Sequence, residues 1–126
     1  MTRMMIVDDS KESHLLMKDF LLAHRHNVVA EASDDIEAIE KYYSKKPELV
    51  FLYLTIPKLD GLSVLKKIRF QDPTSKIIVI TSNDNMEIFE ECTRLGVLAF
   101  LTQPLDLNDV LSAISFSNET TIMNSS

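Results

Sequence analysis

The chain has 126 residues, 45% of them hydrophobic, and a formal net charge of −6, which suits one compact domain with an apolar core. The excess of carboxylates disfavours nucleic acid or an anionic membrane as a direct partner, and the 13 basic residues do not form the clustered run that a phosphate backbone would require. The one cysteine excludes an internal disulfide, and no apolar stretch has the form of a membrane span or a signal peptide. We therefore expect a cytoplasmic protein.

Short apolar runs of strand length alternate along the chain with longer segments of helical spacing. The runs are Met4 to Val7, Val28 to Ala32, Leu49 to Leu54, Ile77 to Thr81 and Val97 to Leu101. The third and fourth runs are apolar on both faces, which is typical of central parallel strands covered by helices, and the mixed second run indicates an edge. The alternation predicts an α/β fold with a doubly wound, parallel, five-stranded sheet.

Five helices are predicted between and after these strands. The first begins near Ser10, and the others cover about Asp35–Ser44, Gly61–Phe70, Met86–Leu95 and Leu107–Phe116. Ser33 or Asp34 is available as the N-cap of the second helix. The apolar spacing predicts buried sides, formed in the first three helices by Leu15, Leu16, Phe20 and Leu22, by Ile36, Ile39 and Tyr43, and by Leu62, Leu65 and Ile68. Residues 118–126 are polar and lack periodicity, which predicts a frayed tail after a domain of residues 1–117.

Polar side chains stand where the predicted strands end, and ligand chemistry gathers at that edge of an open parallel sheet. They are Asp8 and Asp9 after the first run, Tyr53 in the third, Thr81 in the fourth and Gln103 after the fifth. A buried pair of aspartates is unfavourable unless a cation or hydrogen bonds compensate, and oxygen ligation of Mg2+ is one such compensation. In the alternative interpretation one aspartate caps the following helix and the other is solvated.

Four stretches carry a resemblance that covers about Met4 to Phe116. They are "MMIVDDS", "ELVFLYLTIPKLDGLSVLKKIR", "SKIIVITS" and "LGVLAFLTQP", in that order along the chain. With them the sequence resembles the receiver domain of bacterial two-component response regulators. The resemblance implies a flavodoxin-like three-layer sandwich with strand order 2-1-3-4-5. It also implies Mg2+-dependent transfer of a phosphoryl group from a histidine kinase to an aspartate at the end of the third strand.

The resemblance assigns roles to individual positions. Asp8 and Asp9 match the acidic pair of the family, in which the second aspartate ligates the metal directly. Thr55 matches the residue whose backbone carbonyl completes the metal site. Thr81 matches the hydroxyl that moves toward the phosphoryl group, and Phe100 matches the aromatic side chain that swings inward when it does.

Two positions depart from the pattern of the family. Tyr53 stands in place of the phospho-accepting aspartate, and Gln103 in place of a lysine before proline. A phenol is protonated at pH 7 and cannot form an acyl phosphate, and the loss of a carboxylate leaves at most a weak Mg2+ site. We expect the Tyr53 hydroxyl to donate to Asp8 or Asp9, or to approach Thr81, and so to plug the pocket. The alternative is a tyrosine that points outward with its hydroxyl in water.

These features favour a pseudo-receiver, which is a single-domain signalling module that binds a protein partner independently of phosphorylation and is not an enzyme. The expected surface comprises the fourth helix, fifth strand and fifth helix, and the expected partner is a histidine kinase, an output protein or a scaffold. The alternatives are a phosphorelay receiver that uses Asp9, Asp60 or a hydroxyl residue, and a receiver excised from a longer regulator. A flavodoxin-like ligand binder is disfavoured because "DDSKES" contains no glycine. The residues leave the oligomeric state open.

Overall fold

The computed structural model describes residues 2–8, 10–54, 61–82 and 86–125, with side chains 11, 13, 14 and 119–125 excepted. Strands and helices alternate through these ranges. The strands are β1 (Arg3–Val7), β2 (Asn27–Ala32), β3 (Leu49–Tyr53), β4 (Ile77–Thr81) and β5 (Ala99–Thr102). The helices are α1 (Lys11–Ala23), α2 (Asp35–Lys45), α3 (Gly61–Gln71), α4 (Met86–Arg94) and α5 (Leu107–Ser125).

The sheet is parallel throughout and has the order β2-β1-β3-β4-β5, which confirms the predicted fold class and strand order. Every residue of β3 and β4 is buried, as expected for central strands covered on both faces. One apolar cluster joins the sheet to α2, α3 and α4, and a second joins its other face to α1 and α5. The result is a three-layer sandwich.

The buried side of α1 differs from the predicted one. Leu15, Leu16 and Leu22 are exposed, whereas Met17 and Leu21 are fully packed against the sheet and Phe20 is partly buried. Because apolar residues cover more than half of the circumference of this helix, periodicity alone fits several faces. Met17 and Leu21 are four residues apart and lie one above the other, and their contact with the sheet sets the rotation of α1.

The rotation of α2 also differs from the prediction by about one position. Ile36 and Tyr43 are exposed and Ile39 is partly buried, whereas the buried residues of this helix are Ala38 and Tyr42. The Tyr42 hydroxyl donates a hydrogen bond to the Asp72 carboxylate at 2.6 Å, and this polar contact after α3 favours burial of Tyr42 over its neighbour.

Three further features concern the ends and faces of helices. Asp34 is the N-cap of α2 and accepts from the backbone N–H of Glu37 at 2.8 Å, which confirms one of the two predicted caps. In α3 the predicted Leu65 and Ile68 are buried together with Val64, which was not predicted, and Leu62 is partly buried. Helix α5 continues to Ser125 instead of ending near Phe116, because no Gly or Pro follows to stop it. The domain boundary after residue 117 stays a prediction.

The orientation of α1 predicts different costs for two leucine truncations in the same helix. Leu21→Ala should lower the free energy of unfolding by about 2–5 kcal/mol, because it leaves a cavity against the sheet. Leu16→Ala is the matched control and should change it by no more than about 0.5 kcal/mol, because the Leu16 side chain is 73% exposed. Urea denaturation of both variants measures the difference. Equal losses would contradict the observed face of α1.

Candidate functional site

Three of the expected site residues meet at the carboxyl edge of the sheet. Asp8 follows β1, Tyr53 ends β3 and Thr81 ends β4, and these three strands are neighbours in the sheet. All three side chains are buried. The parallel arrangement therefore brings them together as the sequence predicted. Asp9 and Thr55, the other expected metal ligands, and Asp60, an alternative acceptor, lie outside the described residues.

Asp8 is fixed by contacts on both its backbone and its side chain. Its N–H donates to the carbonyl oxygen of Ala32 at 2.9 Å, which extends the pairing of β1 with β2. Its Oδ1 accepts from the backbone N–H of Ser10 at 3.2 Å, just before α1 begins. This is the hydrogen bond of an Asx turn. It supports, for Asp8, the alternative in which one of the two aspartates organises the start of the helix.

Tyr53 lies inside the protein and does not point outward. Its side chain is only 4% exposed and packs in the apolar cluster between the sheet and helices α1 and α5. Burial raises the pKa of the Tyr53 phenol well above its ordinary value, and the negative charge of Asp8 raises this pKa further. The phenol is therefore neutral at physiological pH.

The hydrogen bonds expected from the Tyr53 hydroxyl to Asp8 or Thr81 are not observed among the described residues. Within the described residues, Tyr53 is joined to Asp8 by an electrostatic interaction, and no hydrogen bond links its hydroxyl to Asp8 or Thr81. The remaining expected partner, Asp9, lies outside the described residues. Tyr53 thus occupies its position mainly through apolar packing of its ring.

The described residues do not make a complete Mg2+ site. Asp8 supplies one buried carboxylate, and Tyr53 supplies a protonated phenol, which is a poor ligand for a hard cation that prefers anionic oxygens. In the part of the chain that the structure describes, no three His, Cys, Asp or Glu side chains are grouped so that they could hold a metal ion. The weak Mg2+ site expected from Asp8, Asp9 and Thr55 stays a prediction.

Gln103 is connected to the same edge through its backbone. Its N–H donates to the carbonyl oxygen of Thr81 at 2.8 Å, and the Gln103–Pro104 peptide bond is cis. The Gln103 side chain is exposed and carries no charge. The position that a lysine occupies in the family pattern therefore provides an amide here and no cation to balance an anionic group.

Phe100 packs on a residue that sequence analysis did not select. Its ring meets the ring of Phe89 on α4 edge to face, with centroids 5.2 Å apart and an interplanar angle of 87°. These rings, with Met86 and Thr102, line an apolar groove of about 290 Å³ on the surface. Met86 and Phe89 are exposed and three residues apart on α4, and this spacing was the available signal for them.

A comparison with protein families agrees with this geometry. The model described as the response regulator receiver domain matches residues 4–115 of the chain. The chain belongs to the response regulator receiver family. It is thus a receiver domain of the kind used in signal transduction, and it has the expected fold.

Curated relatives and solved structures extend the comparison of this receiver domain. It is 33% identical to chemotaxis protein CheY of Bacillus subtilis, over 90% of this chain and 94% of that protein. It is 31% identical to CheY of Thermotoga maritima, with the same shares covered. The CheX-CheY-BeF3-Mg2+ complex from Borrelia burgdorferi contains a chain with a TM-score of 0.84 and 28% identity, over 90% of this chain and 86% of that one. Among the described residues, no helix is both long and apolar enough to span a membrane.

The buried phenol of Tyr53 predicts a loss of stability at alkaline pH. A group whose pKa is raised by folding stabilises the native state below its unfolded pKa, here about 10, and the stabilisation is lost as pH rises toward the folded value. The urea midpoint should therefore fall above about pH 10, and Tyr53→Phe should make that fall less steep. Part of it should persist, because burial and the Asp72 hydrogen bond also raise the pKa of Tyr42. An unchanged slope in Tyr53→Phe would contradict the buried neutral phenol.

Proposed function

We propose that this receiver domain is a pseudo-receiver, which signals through a protein partner without phosphorylation at position 53. The observation that carries the proposal is the buried, neutral Tyr53 beside Asp8 at the end of β3. The module acts by binding and not as an enzyme. We place it in the cytoplasm, as the sequence composition predicts.

The chemistry of the two substituted positions supports the loss of phosphoryl transfer. An acyl phosphate requires a carboxylate nucleophile, and the protonated phenol of Tyr53 provides neither that group nor a negative charge. The Gln103 amide cannot neutralise a transferred phosphoryl group as an ammonium would. A buried aromatic ring also occupies space at the strand edge. Nucleophile and counter-charge are therefore changed together.

The surface formed by α4, β5 and α5 supports protein binding. Met86, Phe89 and Phe100 line an apolar groove on this face, and Leu107 and Phe116 are exposed on α5. Aromatic and methionine side chains are enriched in the cores of protein interfaces. The Borrelia burgdorferi neighbour comes from a complex of CheX with CheY, in which a chain of similar fold is assembled with another protein. We infer a histidine kinase, an output protein or a scaffold as the partner class.

Treatment with acetyl phosphate tests the loss of phosphoryl transfer. We expect the wild-type chain to keep its mass, because no carboxylate stands at position 53. The variant Tyr53→Asp with Gln103→Lys restores both groups and should gain the mass of one phosphoryl group. Intact-mass spectrometry after a short incubation at neutral pH measures the adduct.

The two single variants are the controls for this experiment. Tyr53→Asp alone should be labelled less than the double variant, and Gln103→Lys alone should stay unlabelled. A phosphoryl adduct on the wild-type chain would contradict the proposal and favour the alternative acceptors, namely Asp9, Asp60 or a hydroxyl residue. Peptide mapping would then locate the modified residue.

A titration with Mg2+, alone and with beryllofluoride as a phosphoryl mimic, tests the switch. At millimolar Mg2+ we expect the backbone amide signals of Tyr53, Thr81 and Phe100 to stay in place in the wild-type protein, because the neutral phenol weakens the ligand set. The same signals should shift in Tyr53→Asp with Gln103→Lys. NMR spectroscopy measures both. Saturable shifts in the wild type that reach Phe100 would overturn the proposal and show a ligand-driven switch.

A further inference from the structure

A cleft with basic walls lies between the last turns of α3 and α4. Both helices start at the carboxyl edge of the sheet, so their last turns lie at the opposite end of the domain from Tyr53. The cleft has a volume of about 580 Å³. Its main lining residues, which define the basic cleft, are Lys66, Lys67, Arg69, Phe70, Arg94 and Leu95.

Among the described residues, those that line the basic cleft include four cations and no carboxylate. Glu91 is the carboxylate that pairs with Lys66, at 3.6 Å, and also with Arg94. Lys67 makes no ion pair with any residue that the structure describes. Arg69 donates to backbone carbonyl oxygens and to a serine hydroxyl instead of a carboxylate. The neighbouring carboxylates, namely Glu91, Glu90 beside Arg94 and Asp72 beside Arg69, lie outside the lining of the cleft.

Arg69 makes the cleft a preformed structure. Its Nε donates to the Leu95 carbonyl at 2.7 Å, and its Nη1 donates to the carbonyls of Pro73 at 2.8 Å and Ser75 at 2.7 Å. These bonds join the end of α3 to the segments after both helices. Gly96 has a φ of +78°, and a Cβ there would lie 2.7 Å from Arg69 Nη2, so glycine leaves space for the guanidinium. The cleft therefore needs little reorganisation to bind a ligand.

The simplest explanation of the cations is that they stabilise the carboxyl ends of two helices, where positive charge is favourable. That explanation does not account for Phe70, whose side chain is 88% exposed at the rim of the same cleft. Aromatic residues and arginines are enriched in the cores of protein interfaces. The combination of exposed Phe70 with a lining of four cations and no carboxylate indicates a binding surface.

We propose that the basic cleft is the docking site for an acidic segment of a partner protein, in which carboxylates surround an apolar side chain that contacts Phe70. Charge complementarity selects this occupant. A nucleic acid or an anionic membrane would extend past the cleft, and the adjacent groove on α4 presents Glu87 and Glu90 in addition to Glu91. A short acidic segment remains within reach of the four cations, inside the Debye length of about 8 Å at physiological salt. The proposal does not depend on the chemistry of Tyr53.

The test measures binding of a fluorescein-labelled peptide, which alternates Glu-Glu and Leu-Leu pairs, to the chain of 126 residues. Fluorescence anisotropy should show saturable binding that weakens as salt rises. Lys67→Glu and Phe70→Ala should each weaken binding about tenfold, because they remove a cation and the aromatic contact. A peptide with Gln in place of Glu should also bind about tenfold more weakly. Circular dichroism and urea midpoints verify that the variants fold.

Matched controls separate this surface from the one proposed for signalling. Lys45→Glu changes the charge of an exposed lysine on α2, and Phe116→Ala removes an exposed phenylalanine from α5. Both should keep the wild-type affinity for the peptide. Because the acetyl phosphate experiment does not involve the basic cleft, either proposal can fail without the other.

Four outcomes would overturn the assignment of the basic cleft. The first is that the peptide does not bind, the second is that Lys67→Glu and Phe70→Ala leave binding unchanged, and the third is that the Gln peptide binds with equal affinity. The fourth is that a DNA oligonucleotide or phosphatidylserine vesicles bind more tightly than the peptide, in a way that Lys67→Glu weakens. Analytical ultracentrifugation adds a fifth, since self-association that Lys67→Glu abolishes would assign the cleft to a second copy of the chain.

Discussion

The complete burial of β3 and β4 is the constraint on which the rest of the structure depends. A strand with no solvent-facing side needs helices on both faces, and the short strand-to-helix connections then require the strands to run parallel. Parallel strands end at a common edge, which places Asp8, Tyr53 and Thr81 together. The same arrangement sends the ends of α3 and α4 to the opposite edge, where the basic cleft lies.

At the carboxyl edge, the decisive pair is a buried carboxylate beside a buried phenol. Ionising both would place two negative charges in a region of low dielectric constant, so the phenol of Tyr53 stays protonated. The Asp8 carboxylate accepts the hydrogen bond of the turn that leads into α1. The receiver fold is retained because its stability comes from the two apolar clusters, which do not require a phosphoryl group. If phosphoryl transfer at position 53 is lost, as we propose, the function must be argued from the surfaces of the domain.

Much of the fold was predictable, and the errors have a physical pattern. The Asp34 cap and the convergence of strand-end residues follow from capping preference and sheet topology, the strand order follows from the family resemblance, and all are observed. The buried faces of α1 and α2 were predicted incorrectly. In both helices the apolar face is wide enough to allow several rotations of the helix about its axis. Contacts with residues distant in sequence, such as the hydrogen bond from Tyr42 to Asp72, determine which rotation is adopted.

The sequence by itself determined the α/β class, the family resemblance and the absence of a carboxylate at position 53, because these depend on residue type and order along the chain. Only the tertiary structure decided that Tyr53 points inward, that Phe89 packs on Phe100, and that basic residues form a cleft. Lys66, Lys67 and Arg69 are close together in the sequence, whereas Arg94 is far from them. They meet because two helices cross the same face of the sheet and end at the same edge.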